Sequence, residues 1–385
     1  MEKTDVLVVG AGPAGSVVAK TIAEAGFSVQ IHEEHPVVGL PLACGEGMSL
    51  FMLNRFPWAP KEGYPLYIQY INFPGGYRTY SSIEAISLNR TVFDQSLCEM
   101  AQNEGAQLNT NTSVKKLTRT RGGIEATTNH GTTSAKVVIA ADGPSSRMMR
   151  QMNLSPPDEL IQGIEYRIRD LEAEGLQFHF DYTIAPHGYG WIFDKGEGTA
   201  NVGICLQGAM NPRARLDQFM RLHNINGGIE QVIAGIIPSS GPVKQCYTDH
   251  FMVVGDAGGF TNPMFFGGIG IAMLTGMIAG ETAVEALEED NYSADKLISY
   301  SQKVNELPIA APNLIRAHNL FYHQCNNKDL ANIGILTDNQ DITHLTWGKK
   351  IIVFGRTLRR PRIWGGISKI SKIMEGFRLS RDWGF

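Results

Sequence analysis

The sequence predicts an α/β fold that begins with a Rossmann-type dinucleotide-binding domain. Residues 5–9 form a short apolar run typical of a buried strand, and the glycine-rich turn at 10–15 (GAGPAG) leads into a helical pattern that ends at Ala25. A second strand pattern ends at Glu33, 18 residues beyond Gly15. A strand, a GxGxxG turn, a helix and an acidic residue in this order indicate a dinucleotide site.

The glycines of this turn each have a physical reason to be small. Gly10 permits the tight turn, Gly12 lets the backbone approach a pyrophosphate, and Gly15 lets the helix pack on the strand. The helix N-terminus, which includes Ala14, attracts the anion. Glu33 stands where a ribose hydroxyl needs an acceptor. At this point the sequence leaves open whether the dinucleotide is NAD or FAD.

Composition limits the classes of protein to which the chain can belong. Of its 385 residues, 43% are hydrophobic and 19% charged, which is enough for a large core and two or three structural units. The net charge of −4 argues against a nucleic-acid partner. Five cysteines without a CxxC pair fit a reducing compartment, so we expect a cytoplasmic protein. None of the ten histidines follows a metal-ligand spacing, so we expect no metal.

Two later strand ends decide between the cofactors. The apolar pattern at 136–141 ends in an Asp-Gly pair, and the pattern at 251–254 ends in a Gly-Asp pair. After the second pair, residues 263–270 lead into a helix whose N-terminal amides face a flavin edge, while the aspartate accepts from a ribityl hydroxyl. A plain NAD dehydrogenase needs neither feature, so we expect FAD. The residues assigned to FAD here are Asp142, Gly143, Gly255, Asp256, Gly267, Gly268 and Ile269.

With these motifs in place, the sequence resembles FAD enzymes of the p-hydroxybenzoate hydroxylase fold and, within them, the geranylgeranyl reductase family. The resemblance covers most of the chain. The motifs that carry it are GAGPAG at 10–15, Glu33, CGEG at 44–47, Arg90 with Phe93 and Asp94, Asp142 with Gly143, YGW at 189–191, and residues 255–280.

The resemblance implies a Rossmann-type FAD-binding domain, an inserted and mainly antiparallel β-sheet substrate domain, and a helical C-terminal region. The expected FAD-binding domain takes residues 1–60, 84–155 and 246–290, the substrate domain takes 61–83 and 156–245, and the helical region takes 291–385.

The resemblance also implies which residues hold each half of the cofactor. Asp256 and the loop after it hold the ribityl chain and the flavin, and the Asp-Gly pair at 142–143 lies between the halves. The residues implied for the ADP half are Gly10, Gly12, Gly15, Glu33 and Arg90.

Beside the flavin, the resemblance places a loop with Cys44 and Gly45, and against the lipid it places Tyr189, Trp191 and Phe193. Without the resemblance, a single cysteine is usually a small buried hydrophobe, and alternating aromatic residues in a strand are usually core. The candidates for the catalytic proton donor are Cys44, Glu46, Tyr189 and ordered water.

Two positions depart from the family pattern. Asp194 stands where a proline is expected after Phe193, and Cys205 stands where the second glycine of a GxG motif would fall, although Gly203 is retained. These departures leave open which prenyl compound fits the pocket.

The family's activity implies that reduced FAD saturates C=C bonds of geranylgeranyl chains in isoprenoid lipids, such as archaeal membrane lipids, by hydride transfer plus protonation. Three alternatives stay open: an FAD-dependent monooxygenase of the same fold, a reductase of another polyprenyl or quinone chain, and a flavin-bearing lipid carrier without turnover. Residues 150–250 hold no second GxGxxG motif. The electron donor is therefore NAD(P)H bound transiently or a small electron-transfer protein such as ferredoxin.

Two segments raise the question of membrane contact. Residues 257–280 are uncharged, but they contain seven glycines, so we interpret them as a buried turn and helix. Residues 349–381 carry ten basic residues and one acidic residue, with apolar residues at near-helical spacing from Trp364 to Phe377. They predict a basic amphipathic helix that either lies on the inner membrane face or packs on its own domain.

Overall fold

The computed structural model describes residues 2–208, 210–341, 367–381 and 383, and it contains two β-sheets joined by helices. The strands are β1 (Glu2–Val9), β2 (Val29–His32), β3 (Gly47–Ser49), β4 (Gly63–Phe73), β5 (Tyr77–Leu88), β6 (Gln107–Asn109), β7 (Val114–Thr120), β8 (Gly123–Thr128), β9 (Thr132–Ala140), β10 (Leu160–Arg169), β11 (Leu176–His179), β12 (Tyr189–Gly196), β13 (Thr199–Leu206), β14 (Gly228–Pro238), β15 (Tyr247–Thr248) and β16 (Phe251–Val253). The helices are α1 (Pro13–Glu24), α2 (Leu50–Leu53), α3 (Arg90–Asn103), α4 (Arg147–Gln151), α5 (Pro212–Leu222), α6 (Ile269–Glu288), α7 (Ala294–Asn305), α8 (Pro312–His318), α9 (Asn327–Thr337) and α10 (Ile367–Ser380).

The first sheet is the predicted Rossmann-type core, and it brings the cofactor motifs to one edge. Its strands run in the order β15-β16-β9-β1-β2-β6, and β8 and β7 extend it beside β9. β1 pairs in parallel with β2 and β9, and β16 pairs in parallel with β9. Parallel strands end at the same edge of a sheet, so the loops after Val9, His32, Ala140 and Val253 converge there. The predicted α/β class is confirmed.

Helix α6 packs on α1 through positions that lack a side chain. A Cβ atom added at Gly276 would lie 2.5 Å from the carbonyl oxygen of Ala14, and one added at Gly280 would lie 2.8 Å from the Cβ atom of Thr21. By length and composition α6 could cross a membrane, but 78% of its most apolar window is buried inside the protein. This burial confirms the interpretation of residues 257–280 as a turn and a core helix.

The second sheet is mainly antiparallel, as predicted for the substrate domain. Its strands run in the order β14-β10-β13-β12-β11-β4-β5-β3, and among the described pairs the parallel one is β11 with β4. The predicted division at residues 60 and 84 differs from the extent of this sheet. β3 and all of β5 belong to it, so residues 47–49 and 84–88 lie in the second sheet.

The described part of the C-terminal region is mainly helical, and its helix α10 packs on the protein. Helix α10 contacts α8, and Ile373 and Phe377 are buried in the core of the second sheet. The ring of Phe377 lies 5.1 Å from that of Phe321. The apolar face of the predicted amphipathic helix is therefore covered by its own domain. The start of that prediction, residues 349–366 with Trp364, lies outside the described residues.

Candidate active site

Two cavities lie at the edge where the strands of the first sheet end, and they share a wall at Gly12 and Ala141. One cavity of about 230 Å³ lies between the glycine turn and the second sheet, and we call it the ring cavity. The other, of about 480 Å³, lies at the ends of β1 and β2, and we call it the nucleotide cavity. The ring cavity is lined by residues 12–14, 43–47, 90, 141, 143, 189, 191, 193, 236–237, 254–256, 265–269 and 272, and the nucleotide cavity by 9–10, 12, 32–35, 112–114, 141–142, 145 and 147–148.

The N-terminus of α1 opens between the two cavities. Gly12 is the N-cap, no side chain caps the helix, and a Cβ atom added at Gly12 would meet no atom within 4 Å. Gly10 has a φ of +103°, and a Cβ atom there would lie 2.4 Å from the carbonyl oxygen of Ala141. A Cβ atom at Gly15 would lie 2.0 Å from the carbonyl oxygen of Gly10. The first turn of α1, which contains Ala14, therefore has free amide groups, and no side chain at Gly12 blocks the approach to them. This is the arrangement that a pyrophosphate requires.

Three carboxylate residues line the nucleotide cavity, and two of them, Glu33 and Asp142, also accept hydrogen bonds from the surrounding backbone. Glu33 accepts hydrogen bonds of 2.9 Å from the amides of Ala11 and His35. Asp142 accepts from the Ser146 hydroxyl at 2.6 Å and from two amides in the first turn of α4. Burial raises the pKa of Asp142. Glu33 thus stands at the wall where a ribose is expected, and Asp142 shapes the loop beside it.

The ring cavity contains a second uncapped helix start, that of α6. Gly268 is its N-cap, and Gly255, Gly267 and Ile269 line the same wall. A Cβ atom added at Gly268 would lie 2.9 Å from Oδ1 of Asp256. Burial raises the pKa of Asp256 to about 6. The positive end of a helix dipole fits a flavin edge, and the partly buried carboxylate beside it fits a ribityl hydroxyl, so these residues match the predicted flavin side of the site.

The residues present therefore fit FAD, with one change from the predicted arrangement. The glycine turn lies between the nucleotide cavity and the ring cavity. Gly143, with a φ of +74°, lines the ring cavity close to the wall that the two cavities share. Arg90 lines the ring cavity rather than the nucleotide cavity. Its guanidinium donates to both carboxylate oxygens of Asp94 at 2.8 Å. Arg90 was expected at the ADP half but lies on the ring side, because α3 starts beside the CGEG loop.

Cys44 presents a neutral thiol to the ring cavity. Its Sγ atom accepts a hydrogen bond of 3.2 Å from the amide of Glu46. Burial raises the pKa of the thiol, and the nearby Arg90 guanidinium opposes part of that rise. The next residue, Gly45, packs so closely on the second sheet that an added Cβ atom would lie 3.2 Å from Cε2 of Phe193. Cys44 is therefore an acid that faces the cavity beside a cation.

Glu46 also lines the cavity, but its carboxylate already accepts hydrogen bonds from other groups of the protein. The residue has a φ of +68°, and its Oε1 atom accepts from the amide of Arg90 at 3.0 Å. Its Oε2 atom accepts from Lys195 at 2.7 Å, from Asn201 at 2.9 Å and from Arg167. Burial acts to raise the pKa of Glu46, but the two cations outweigh it and lower the pKa. An ionised carboxylate has no proton to give, so the structure argues against the predicted role of Glu46 as proton donor.

The predicted aromatic residues Tyr189, Trp191 and Phe193 form one wall of the ring cavity. The Tyr189 hydroxyl donates to the carbonyl oxygen of Phe265, and the Tyr189 ring stacks on Phe266 with centroids 5.5 Å apart. Burial raises the pKa of Tyr189 well above its usual value. Because a backbone carbonyl already holds its proton, the structure assigns Tyr189 to positioning the 265–266 loop rather than to the predicted proton transfer.

Glu165, which the sequence analysis did not select, lies behind this wall. Its Oε2 atom accepts from Nε1 of Trp191 at 2.7 Å, and its buried Oε1 atom finds no hydrogen-bond partner among the described residues. Burial raises the pKa of Glu165 to about 8, so the carboxyl group is mainly protonated at neutral pH. A signal was present in the sequence, since Glu165 and Arg167 alternate on one side of an otherwise mostly apolar strand.

Replacing Glu165 by glutamine should flatten the dependence of stability on pH. Between the ordinary pKa of an unfolded glutamate and about 8, the folded wild type keeps this proton and the unfolded chain has lost it. The free energy of unfolding of the wild type therefore falls as pH rises through this interval, and Glu165→Gln lacks that slope. Urea unfolding at several pH values measures the difference between the two proteins, and parallel profiles would contradict the raised pKa.

Trp191 reaches Glu165 across a glycine. Gly203 of β13 pairs with Glu165 on β10 and with Trp191 on β12. A Cβ atom added at Gly203 would lie 2.1 Å from Cζ2 of Trp191. The retained glycine of the family pattern therefore makes room for the indole ring on its way to the carboxyl group.

Gly203→Ala should displace the Trp191 indole and lower the free energy of unfolding by about 1–3 kcal/mol, the usual cost of overpacking. Gly163→Ala is the matched control on the neighbouring strand, because the nearest atom to its added Cβ atom, Cδ1 of Ile237, would be 3.5 Å away. Near-ultraviolet circular dichroism and thermal unfolding report the two effects. A Gly203→Ala protein that matches Gly163→Ala in both measurements would refute the packing argument.

Comparison with known proteins agrees with this geometry. Residues 160–237 match the family model of the geranylgeranyl reductase catalytic domain, and residues 8–46 match that of an NAD(P)-binding Rossmann-like domain. The chain is 35% identical over 324 residues to digeranylgeranylglycerophospholipid reductase 1 of Methanopyrus kandleri, covering 78% of this chain and 86% of that protein.

Two solved structures extend the comparison to the fold. A geranylgeranyl bacteriochlorophyll reductase-like protein from Thermoplasma acidophilum superposes with a TM-score of 0.84 at 25% identity, over 96% of this chain and all of the other. A variant of the halogenase PltM in complex with FAD superposes with a TM-score of 0.67 at 15% identity, over 86% and 79% of the two chains, which shows a shared fold alone. The chain belongs to the geranylgeranyl reductase family of FAD-dependent oxidoreductases.

Proposed function

We propose that this enzyme saturates the isolated double bonds of geranylgeranyl chains on a glycerophospholipid, the substrate class for which its Methanopyrus kandleri relative is named. The observation that supports this proposal is the composition of the ring cavity. Trp191, Phe193, Phe266 and Ile237 give it an aromatic and aliphatic wall opposite the uncapped start of α6. A prenyl chain has no polar handle, so such a wall can hold it through burial and dispersion contacts.

The chemistry of an isolated alkene determines what the protein must add. Such a bond has no carbonyl to accept negative charge, so it needs a proton as well as a hydride. Reduced FAD, when bound, supplies the hydride. Protonation of the less substituted carbon builds positive charge on the other carbon. Trp191 and Phe193 line the cavity, and the quadrupole of an aromatic ring attracts positive charge placed over its face.

Cys44 is the residue best placed to supply the proton. Its partly buried thiol is protonated at neutral pH and lines the ring cavity. As the new C–H bond forms, the S–H bond breaks and leaves a thiolate. The Arg90 guanidinium, fixed by Asp94, lies beside that thiolate and stabilises it until solvent returns a proton.

Anaerobic reoxidation of the flavin tests this function. Enzyme reduced with dithionite under argon should be reoxidised by a geranylgeranyl phospholipid and not by the same lipid with saturated chains. Flavin absorbance follows the reaction. Reoxidation that occurs only in air, with an oxygen atom added to an organic substrate, would contradict the proposal and identify the enzyme as a monooxygenase.

We propose that the electrons come from transiently bound NAD(P)H or from a small electron-transfer protein such as ferredoxin. In the part of the chain that the structure describes, the second sheet is almost entirely antiparallel and contains no second unit of strand, glycine turn and helix. That arrangement favours a donor that visits the flavin over one that stays bound.

We also propose a cytoplasmic enzyme that meets its lipid at the inner membrane face. Lys372 and Arg378 are exposed on α10, whereas the apolar side of that helix is buried. Membrane contact through this helix would therefore be electrostatic. Binding to anionic vesicles should weaken in high salt and in Lys372→Glu, and binding that is insensitive to both would contradict it.

A further inference from the structure

A second cluster of titratable side chains lies apart from both cavities. It consists of Glu159, immediately before β10, and of His318 and His323, which flank the end of α8. One ligand atom from each residue lies within 4.8 Å of the other two. We call this group the His-Glu cluster.

An irregular turn brings the two histidines together. Residues Asn319–His323 form a π-helical turn directly after α8. In a regular α-helix, residues three or four apart share a face, and residues five apart do not. The i→i+5 bonding of a π turn accommodates the extra residue and lets His318 and His323 point at the same carboxylate. Such turns are rare and occur frequently at functional sites.

The hydrogen bonding of His318 favours a ligand role. Its Nδ1 atom lies 2.8 Å from the carbonyl oxygen of Pro263, so Nδ1 carries a proton. The ring is 2% exposed, and Nε2 has no hydrogen-bond partner among the described residues. Nε2 lies 3.6 Å from Oε2 of Glu159, which is longer than a hydrogen bond. A histidine that donates from one nitrogen to a backbone carbonyl and directs the other at a carboxylate has the arrangement of a metal ligand.

The other two members complete the set. Nε2 of His323 lies 3.1 Å from Oε1 of Glu159, and Gln207 donates to Oε2 of the same carboxylate at 3.1 Å. Two imidazole nitrogens and one carboxylate are a donor set that Zn²⁺ accepts, with a fourth position left for water. In a purely ionic cluster, a protonated Nε2 of His318 would donate to the carboxylate at hydrogen-bond distance, whereas the observed separation is 3.6 Å.

We propose that Glu159, His318 and His323 bind a divalent transition-metal ion, with Zn²⁺ as the preferred ion. The site joins the start of β10 to the π turn. Through Pro263 it also reaches the loop that continues into the 265–269 wall of the ring cavity. Its role is to fix that loop, and it takes no part in hydride or proton transfer. The sequence expectation of no metal rested on the lack of an HExxH-like motif and of a nearby cysteine pair, whereas the carboxylate ligand proposed here, Glu159, is distant in sequence from the two histidines.

Metal titration of the FAD-loaded enzyme tests the site. After treatment with EDTA and desalting, calorimetry should show one equivalent of Zn²⁺ bound per chain, and Co²⁺ should give visible absorption bands typical of mixed nitrogen and oxygen ligation. Zn²⁺ should raise the midpoint of thermal unfolding, because it binds the folded state. Each of Glu159→Gln, His318→Gln and His323→Gln should weaken Zn²⁺ binding by more than ~10-fold, the lower end of the loss seen for outer-shell partners.

His130→Gln is the control, because His130 is exposed and lies outside the cluster. His323 is also partly exposed, so its variant should keep the fold even if His318→Gln does not, and bound FAD reports folding in each case. Stoichiometric binding that is lost in His323→Gln and kept in His130→Gln would support the proposal. Absence of binding at micromolar Zn²⁺, or equal binding by His323→Gln and wild type, would overturn it.

Discussion

Replacing Cys44 by alanine should slow reduction of the prenyl chain by about 10²–10⁴-fold, the usual contribution of a positioned general acid. The thiol is the remaining protein candidate among those predicted, because the Glu46 carboxylate is ionised and the Tyr189 hydroxyl donates to a backbone carbonyl. FAD should stay bound, since the uncapped helix starts and Glu33 are unchanged. Single-turnover reoxidation under argon measures the rate, and flavin absorbance measures cofactor content.

Cys98→Ala is the matched control, because Cys98 is buried in the core of the first sheet and lines neither cavity. It should reduce the lipid at close to the wild-type rate. A Cys44→Ala enzyme that reacts as fast as Cys98→Ala would show that water or another group supplies the proton. The proposed role of Cys44 would then be wrong, while the proposed activity would stand.

Glu46→Gln should lower the free energy of unfolding by about 3 kcal/mol, the lower end of the cost of breaking a buried ion pair. The Glu46 side chain is 1% exposed, whereas those of Arg167 and Lys195 are 21% and 14% exposed. Without the carboxylate, two poorly hydrated cations lose their partner and the CGEG loop loses its attachment to the second sheet. Urea unfolding measures the loss, and a weaker affinity for FAD should accompany it.

The effect of Glu46 should also depend on pH. Lys195 and Arg167 hold its folded pKa below the unfolded value against the opposing effect of burial, so its stabilisation is complete above the unfolded pKa. This stabilisation is lost as pH falls through the lowered folded pKa of Glu46. In that pH range the free energies of unfolding of the wild type and of Glu46→Gln should become equal. Glu24→Gln, which breaks a pair with Lys20 in which the glutamate side chain is 61% exposed, is the control and should change stability by no more than about 0.5 kcal/mol. A loss equally small for Glu46→Gln would contradict the buried network.

The cofactor side of the site could be predicted because its signals are local. Gly10, Gly12 and Gly15 are required by backbone geometry within one turn, and any parallel sheet brings the ends of its strands to one edge. Asp256 follows a strand in the same way, so its position followed from topology. The aromatic wall was expected from the family resemblance of residues 189–191, because alternation of side chains alone would have indicated core.

The proton-transfer residues could not be assigned in the same way, because their roles depend on partners distant in sequence. Glu46 is ionised because Arg167, Lys195 and Asn201 reach it from the second sheet, more than a hundred residues away. Helix α9 lies within the predicted helical region, residues 291–385. Asn326 and Asp329 begin it with a capping box.

The mass of the lipid after one anaerobic turnover shows whether the enzyme reduces a prenyl double bond. Reduced enzyme, mixed under argon with an equimolar geranylgeranyl phospholipid, should yield lipid that carries two more hydrogen atoms, located by fragmentation at a former double bond. Recovery of unchanged lipid from fully reduced enzyme with FAD bound would contradict the account.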